Sequence, residues 1–318
     1  MLFSTTTPEA KRIALREMLA GPRTVRFPGA YTLLSTKLIQ EQGFDGVYIS
    51  GAVLANELGF PDIGLTALPE VAARAGQIAR VTDLPCLVDA DTGFGEPMNV
   101  ARTVQELENA GLAGCHIEDQ FNPKRCGHLD GKNVVDLATA VKRIRAAAEA
   151  RRDPNFLIMA RTDIRGVEGL DAATDRAKAL VDAGADAIFP EAMADLSEFE
   201  AMRAAVDVPI LANMTEFGKS QLFTADQLQD AGVNMIIYPV TLMRAALGAM
   251  ERVLATIAAD GTQEAAVPDM LTRARLYELV DYEGYNRFDS SVFDFEIPGG
   301  RPSGDAGSAR PTAQEDHA

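Results

Sequence analysis

Short apolar runs alternate with helix-like segments along most of this chain. Alanine and leucine recur at helical spacing in 69–80, 97–110, 136–150 and 170–183. The runs that we predict as strands are Val25–Phe27, Gly46–Ser50, Cys86–Asp89, Gly114–Glu118, Phe156–Arg161, Ala187–Glu191, Ile210–Asn213 and Asn234–Tyr238. Eight such βα units predict a parallel sheet, and 318 residues exceed the about 250 that one (β/α)8 barrel needs.

The same units could also build an open, doubly wound sheet, so the strand ends decide between the two. No GxGxxG follows the first strand, whereas polar residues end almost every strand. Three helices stop at Ala-Gly pairs, at 110–111, 183–184 and 231–232, where glycine can end a helix before the next strand. The fold class that we predict is α/β, a closed TIM-type (β/α)8 barrel.

The predicted domain organisation is a single barrel domain over residues 1–297, followed by a tail. After the last barrel helix, near 242–259, an extra helical segment is predicted at 268–280, and we expect it to pack on a neighbouring molecule. Residues 298–318 are rich in Gly, Pro, Ser and Asp and cannot bury apolar surface, so a mobile tail is expected there.

Charge and cysteine content restrict the partners. Thirty Lys and Arg against 46 Asp and Glu give a formal net charge of −16, which disfavours nucleic acid and anionic membranes as partners. No run approaches the roughly 20 apolar residues of a membrane span. Three cysteines leave one unpaired in any disulfide scheme, and a reducing cytoplasm is therefore expected.

Carboxylates cluster at two neighbouring strand ends. Asp89 and Asp91 close the third strand, and Glu118 and Asp119 close the fourth, with no basic residue between the members of either pair. Oxygen-only ligands suit a hard divalent cation, so we predict Mg²⁺, or Mn²⁺ in its place. Helix capping is the alternative for Asp91 and Asp119, which precede turns.

A glycine-containing polar loop follows the fourth strand. In this loop, 120–132, Cys126 is flanked by Arg125 and His128, with Gly127 between the thiol and the imidazole. Nearby positive charge lowers the pKa of a thiol and makes the thiolate accessible. A cysteine close to a histidine is often incidental, but its place beside a carboxylate cluster favours a catalytic role.

Arginines and further polar residues complete the predicted ring of strand ends. Arg161 ends a very apolar strand, Arg244 follows the eighth strand, and Arg273 lies on the extra segment. Guanidinium groups suit planar carboxylates, which favours a polycarboxylate substrate over simple surface solvation of these arginines. The other candidates at strand ends are Tyr48, Ser50, Gly51, Ala52, Glu191, Asn213 and Thr215.

From Phe27 to Tyr285 the chain resembles the isocitrate lyase and phosphoenolpyruvate mutase superfamily. The motifs that carry the resemblance are Ser50–Gly51, Leu58–Asp62, Asp89–Gly95, His116–Gln120, Lys124–His128, Met159–Asp163, Phe189–Glu191 and Leu211–Asn213. The cysteine loop KRCGH is the most specific of them. It is typical of the carbon-carbon lyases of the superfamily, whereas its mutases and decarboxylases generally lack it.

The resemblance implies a Mg²⁺-dependent retro-aldol cleavage of a hydroxylated di- or tricarboxylate. It implies Mg²⁺ at Asp89 and Asp91, with Glu118 acting through water, a helix-exchanged barrel with a swapped C-terminal helix, and a homotetramer. The substrate contacts that it implies are Ser50, Gly51, Ala52, Cys126, Gly127, Arg161, Glu191, Asn213, Thr215, Arg244 and Arg273. Where several members of the superfamily have a second glycine, this chain has Ala52.

Proton transfer can be assigned within this scheme. Cys126 is the candidate acid that returns a proton to the leaving fragment, and Arg161 stabilises its negative charge. Tyr48 is the candidate base, assisted by His128 or Glu191. Substrate size stays open between a dicarboxylate and a tricarboxylate, for which Arg273 would bind the third carboxylate. A non-catalytic barrel that binds a chelated carboxylate is the remaining alternative.

Overall fold

The computed structural model describes residues 4–124, 127, 133–218 and 220–293. All eight predicted strands are present, each within about two residues of the predicted bounds. They are β1 Val25–Pro28, β2 Val47–Ile49, β3 Cys86–Asp89, β4 Gly114–Glu118, β5 Leu157–Thr162, β6 Ala187–Pro190, β7 Leu211–Asn213 and β8 Met235–Tyr238.

The strands form a closed parallel barrel. Two hydrogen-bonded sheets run in the orders β2-β3-β4-β5-β6 and β1-β8-β7. Single parallel bridges join them, from Gly29 to Tyr48 between β1 and β2, and from Ile188 to Ile210 between β6 and β7. The predicted TIM-type barrel is therefore confirmed, and the carboxyl ends of all eight strands face the same rim.

Helices follow or flank every strand. Their bounds are α1 Pro8–Ala20, α2 Leu33–Glu41, α3 Gly51–Glu57, α4 Leu68–Ala79, α5 Pro97–Asn109, α6 Leu137–Ala150, α7 Arg165–Glu168, α8 Leu170–Asp182, α9 Leu196–Ala205, α10 Ala225–Asp230, α11 Thr241–Asp260, α12 Arg273–Leu279 and α13 Tyr282–Phe293. The helices predicted at 69–80, 97–110, 136–150, 170–183 and 242–259 correspond to α4, α5, α6, α8 and α11.

Two apolar layers hold the barrel together and fix which end is open. Side chains such as Phe27, Leu87 and Leu157 fill the interior, while a second layer packs the outer strand faces against the helices. Leu15 and Leu19 of α1 join the interior cluster. Because this helix closes the amino-terminal end, the carboxyl-terminal rim is the end left for a substrate.

The segment after α11 differs from the prediction of one helix at 268–280. The structure has a 3-10 helix at Glu264–Asp269, then α12, then α13. Pro268 cannot donate a backbone hydrogen bond, and Asp281 adopts a φ of 55°, which separates α12 from α13. The predicted tail, 298–318, lies outside the described residues.

Candidate active site

Alternation along the strands sends selected side chains into the carboxyl-terminal mouth. Successive strand residues face opposite sides, so residues two apart share a face. His116 and Glu118 do so on β4, and their strand partners in register are Asp89 and Arg161. Neighbouring strands therefore bring carboxylates, an imidazole and a guanidinium to one level of the barrel.

A cavity of about 190 Å³ opens at this level. It brings together ten of the residues predicted from the sequence. These are Tyr48, Ser50, Ala52, Asp89, Gly127, Arg161, Glu191, Asn213, Thr215 and Arg244. Phe189, Pro239, Val240 and Met243 supply its apolar lining. The cavity therefore combines charged groups with a small apolar surface, as ligand sites do.

Asp89 forms the acidic wall together with the start of α3. Its Oδ1 accepts the backbone N–H of Asp91 at 2.9 Å, and its Oδ2 accepts that of Gly51 at 3.2 Å. Burial raises the pKa of Asp89, but the positive charges of Lys124 and Arg161 and the hydrogen bond from the Asp91 backbone help to outweigh it, and the pKa falls to about 2. Asp89 is therefore ionised at neutral pH.

Gly51 lets two carboxylates approach the start of α3 closely. A Cβ at this position would lie 2.9 Å from Asp89 Oδ2 and 3.1 Å from Asp91 Oδ1. Both oxygens thus border the small gap that the missing side chain leaves. Glu118 lies nearby with both carboxylate oxygens buried and without a hydrogen bond among the described residues, and burial raises its pKa well above the ordinary value.

These carboxylates fit a divalent cation. Oxygen donors that border a gap, and a buried carboxylate without hydrogen bonds, are what an added positive charge would stabilise. Within the described ranges, no three acidic, histidine or cysteine side chains converge as a ready metal cage. Asp89, Asp91 and Glu118 are therefore the residues that would hold such a cation.

Arg161 on β5 forms a second wall of the cavity, and three carboxylates hold it. Its Nε lies 2.9 Å from Asp163 Oδ2 and 3.3 Å from Glu118 Oε2, and its Nη2 lies 3.3 Å from Glu191 Oε2. The guanidinium also lies 5.2 Å from the centre of the Phe189 ring. Its position is therefore fixed before any substrate arrives.

Gly127 packs directly against this wall. A Cβ at residue 127 would lie 2.5 Å from Cγ and 2.6 Å from Cδ of Glu191, and closer still to Nη2 of Arg161. Only glycine can approach the pair so closely. The backbone of the cysteine loop therefore enters the cavity at this residue.

A buried hydrogen bond joins Tyr48 to His116. The phenol oxygen and Nε2 are 2.7 Å apart. Burial lowers the pKa of His116 to about 4, so the ring is neutral at pH 7. Burial, reinforced by the charge of Asp89, raises the pKa of Tyr48 well above its ordinary value, so the phenol keeps its proton.

Arg244 lies at the outer edge of the cavity. Its Nη1 donates to the backbone oxygen of Glu216 at 2.7 Å, and lies 3.1 Å from Glu216 Oε2 and 3.4 Å from Thr215 Oγ1. The guanidinium lies 5.5 Å from the ring of Phe217, which is 95% exposed. The loop after β7 thus holds this arginine near solvent.

The structure places two of the candidate residues outside the cavity of this chain. Arg273 is exposed on α12, which packs on α2, where Arg275 forms an ion pair with Glu41. Because the segment after α11 is divided into three short helices, Arg273 on α12 lies outside the ring of strand-end residues. Asp119 does not join the acidic wall, because it faces away from its neighbour Glu118 and pairs with Arg176 at 3.0 Å. Cys126 and His128 lie outside the described residues.

Four residues of the site were missing from the sequence-based set. His116 and Asp163 share a strand face with Glu118 and Arg161, so period-two alternation could have found them. Lys124 lies 2.6 Å from Asp62 Oδ1 and 2.7 Å from Asp91 Oδ1. Asp62 is 62 residues away from this lysine in the sequence. A local sequence pattern therefore cannot predict this ion pair.

The fold and the cavity define a class of protein, a (β/α)8-barrel enzyme with buried carboxylates and an arginine in one cavity. The chain belongs to the phosphoenolpyruvate phosphomutase family, whose model matches residues 15–258. Among the described residues, every helix is too short or too polar to cross a membrane.

Curated relatives cover nearly the whole chain. A protein of Corynebacterium glutamicum named probable 2-methylisocitrate lyase 2 is 59% identical over 95% of this chain and 98% of its own length. The 2-methylisocitrate lyase of Salmonella typhimurium is 48% identical over 85% of this chain and 92% of its own.

Solved structures share the fold at lower identity. The crystal structure of a 2,3-dimethylmalate lyase superposes with a TM-score of 0.84 at 32% identity, covering 93% of this chain and all of that one. An oxaloacetate acetylhydrolase with bound 3,3-difluorooxalacetate gives a TM-score of 0.85 at 32% identity, covering 92% of this chain and all of that one.

Proposed function

We propose that this enzyme is a Mg²⁺-dependent carbon-carbon lyase that cleaves 2-methylisocitrate to pyruvate and succinate. The observation that carries the proposal is one cavity with Asp89 on one wall and the fixed guanidinium of Arg161 on the other. The names of relatives 59% and 48% identical to this chain support the same substrate.

In this proposal Asp89 and Asp91 hold Mg²⁺, and Glu118 acts through water. The bound ion would supply Lewis acidity to the substrate hydroxyl and its adjacent carboxylate. Ser50 and the backbone of Gly51 and Ala52, at the start of α3, orient a carboxylate. Ala52 keeps its backbone N–H, so the alanine in place of a second glycine does not remove this donor.

Cleavage breaks the bond between the hydroxyl-bearing carbon and its neighbour. The bonding electrons pass to the succinate fragment as an aci-carboxylate, which lies against Arg161. Tyr48 receives the hydroxyl proton as it passes its own to Nε2 of neutral His116, 2.7 Å away. Cys126 returns a proton to the leaving carbon, and Gly127, bonded to it, lies against Arg161 and Glu191.

We also propose a homotetramer in a reducing cytoplasm, acting on a small carboxylate and not on nucleic acid or membranes. Helix α11 buries none of its 20 residues. Leu247, Met250, Leu254 and Ile257 on it are all more than 40% exposed and recur at helical spacing. A second copy of the chain, with its C-terminal helix exchanged, would cover this stripe.

The cysteines support the proposed reducing compartment. Cys86 and Cys115 are free thiols, which are compatible with a reducing cytoplasm.

A dicarboxylate, 2,3-dimethylmalate, is the second candidate substrate. Arg273 was expected to bind the third carboxylate of a tricarboxylate, yet it lies outside the cavity of its own barrel. A solved 2,3-dimethylmalate lyase also shares the fold. This alternative keeps the same reaction chemistry and changes only the number of carboxylates bound.

A substrate comparison tests the proposal. The enzyme is incubated with MgCl₂ and 2-methylisocitrate, isocitrate or 2,3-dimethylmalate, and pyruvate, glyoxylate and the second product are quantified. We expect pyruvate and succinate in equal amounts and the highest kcat/KM for 2-methylisocitrate. Activity should disappear with EDTA and return with Mg²⁺. A higher kcat/KM for 2,3-dimethylmalate would select the second candidate, and no cleavage of any substrate would refute the proposal.

A further inference from the structure

The Lys124 ammonium is buried between two carboxylates at the edge of the acidic wall. It lies 2.6 Å from Asp62 Oδ1 and 2.7 Å from Asp91 Oδ1, and its side chain is only 4% exposed. Lysine is an ammonium at neutral pH, and here two carboxylates contact it directly. A buried ammonium is therefore the cation that this structure places against Asp91.

Lys124 contacts the same Asp91 oxygen that borders the gap at Gly51. A Cβ on Gly51 would lie 3.1 Å from Asp91 Oδ1 and 2.9 Å from Asp89 Oδ2. A Mg²⁺ ion bonded to Asp91 Oδ1 at about 2.1 Å would lie within about 5 Å of the ammonium. Two such charges repel strongly where little water screens them.

Resting on the metal site of the proposed function, we propose that Lys124 is an internal counter-cation. It neutralises Asp91 in the metal-free enzyme, and when the divalent ion binds it gives up its contact with Asp91 and keeps the one with Asp62. The lysine and the ion thus compete for the Asp91 carboxylate. The ion pair with Asp62 stabilises the ammonium when its contact with Asp91 is lost. Metal affinity is then set by this exchange as well as by the metal ligands.

The surroundings of Lys124 allow this movement. A second cavity, of about 650 Å³, lies beside the first, and Gly64, Asp91, Thr92 and Lys124 are among its lining residues. Lys124 therefore borders both cavities, with Asp62 on the catalytic side.

Mn²⁺ binding to the substrate-free enzyme tests the exchange, with electron paramagnetic resonance counting the free ion. Lys124→Met should bind Mn²⁺ at least ~10-fold more tightly than wild type, a factor that corresponds to about 1.4 kcal/mol. Lys124→Arg keeps the charge and should remain near wild type. Lys178→Met is the matched control, because Lys178 is half exposed and pairs only with Asp175 in a helical turn.

Asp62→Asn separates movement of the lysine from a general effect of charge. The substitution removes the carboxylate that pairs with Lys124, so it should weaken Mn²⁺ binding in the wild-type background. In the Lys124→Met background it should have little effect, because the ammonium that pairs with Asp62 is absent. Equal weakening in both backgrounds would refute the exchange, since it would reflect charge acting through space.

Thermal unfolding gives a second readout. Without Lys124 the carboxylates Asp62 and Asp91 lose their partner, so the metal-free Tm should fall, and Mn²⁺ should raise the Tm of Lys124→Met more than that of wild type. Lys124→Gln serves if the methionine variant does not fold. If wild type binds Mn²⁺ and Lys124→Met binds it equally or more weakly, this inference alone is overturned. No Mn²⁺ binding to any form would overturn it together with the proposed metal site.

Discussion

Tyr48 and His116 share a hydrogen bond of 2.7 Å in the mouth of the barrel, and neither is charged at neutral pH. Tyr48 keeps its proton because burial raises its pKa, and His116 lacks a second proton because burial lowers its pKa to about 4. The His116 Nδ1 lies 3.7 Å from Asp89 Oδ1, beyond hydrogen-bond distance. His116 therefore lies between Asp89, the proposed metal ligand, and the Tyr48 phenol, and its imidazole is neutral.

Tyr48→Phe tests the role of this phenol. The ring should still pack, while the lost hydrogen bond leaves His116 unsatisfied and lowers the free energy of unfolding by about 1–3 kcal/mol. If the phenol transfers the hydroxyl proton, kcat should fall by ~10²-fold or more with a small change in KM. Steady-state kinetics and urea unfolding measure the two effects. An unchanged kcat would remove Tyr48 from the proton path.

His116 makes stability depend on pH in one direction. Its folded pKa of about 4 lies below the ordinary 6.5, so the unfolded chain binds a proton in this window that the folded protein does not. The contribution of His116 to the free energy of unfolding is therefore full above about pH 6.5. It declines towards pH 4, by about 3 kcal/mol at most.

Comparison with His116→Gln isolates this contribution from other titrating groups. Asp91, whose pKa burial raises to about 6, acts in the opposite direction, so the wild-type profile alone is not informative. Urea unfolding at pH 7 and pH 5 should show that wild type loses more stability than the glutamine variant as the pH falls. Equal losses would contradict a neutral buried imidazole.

Gly127→Ala tests the close approach of the cysteine loop to the arginine wall. The added methyl would overlap Arg161 and Glu191, both buried and both held by other contacts. Either the loop or Arg161 must shift, so kcat/KM should fall by ~10²-fold, since small misplacements of catalytic groups are costly. Gly248→Ala is the control, because a Cβ there lies no closer than 3.6 Å to the atoms around it.

The residues at the strand ends could be predicted from the sequence, because alternate residues of a parallel barrel strand point to the interior and the strands end at one rim. The Glu118 and Asp119 pair shows both the strength and the limit of that reasoning. Adjacent residues leave a strand on opposite faces, so Glu118 contacts Arg161 while Asp119 contacts Arg176 of α8. Counting both as one acidic cluster ignored this parity, although the sequence contains it.

Contacts between distant loops could not be predicted in this way. Lys124 meets Asp62 across 62 positions, and only the folded loops reveal the pair. Arg273 is a different case. The sequence assigned it to the site, but its helix, α12, packs against α2 on the outside of the barrel. The period of a strand fixes direction within one βα unit, but the path of a loop or of an appended helix depends on packing elsewhere.

Chemical labelling should distinguish the three cysteines. Cys86 and Cys115 are fully buried, and burial raises the pKa of Cys86 to about 12 and also raises that of Cys115. At pH 7.5 the folded enzyme should therefore react with one equivalent of a thiol reagent, at Cys126. Peptide mapping locates the label, and all three thiols should react after denaturation. Rapid labelling of Cys86 or Cys115 in the folded enzyme would contradict this burial.

Cys126→Ser tests the proposed acid directly. The hydroxyl is a much weaker acid than the thiol, so turnover should fall by ~10²-fold or more while substrate affinity changes little. Cys86→Ala is the matched control, since Cys86 packs in the apolar layer between the strands and the helices, outside the barrel interior, and its loss should preserve kcat. Single-turnover kinetics with Mg²⁺ present separates chemistry from product release. Because the C–C cleavage can still begin without this acid, the serine variant should bind substrate normally and stall before succinate forms. Wild-type turnover in Cys126→Ser would assign the final proton to another group.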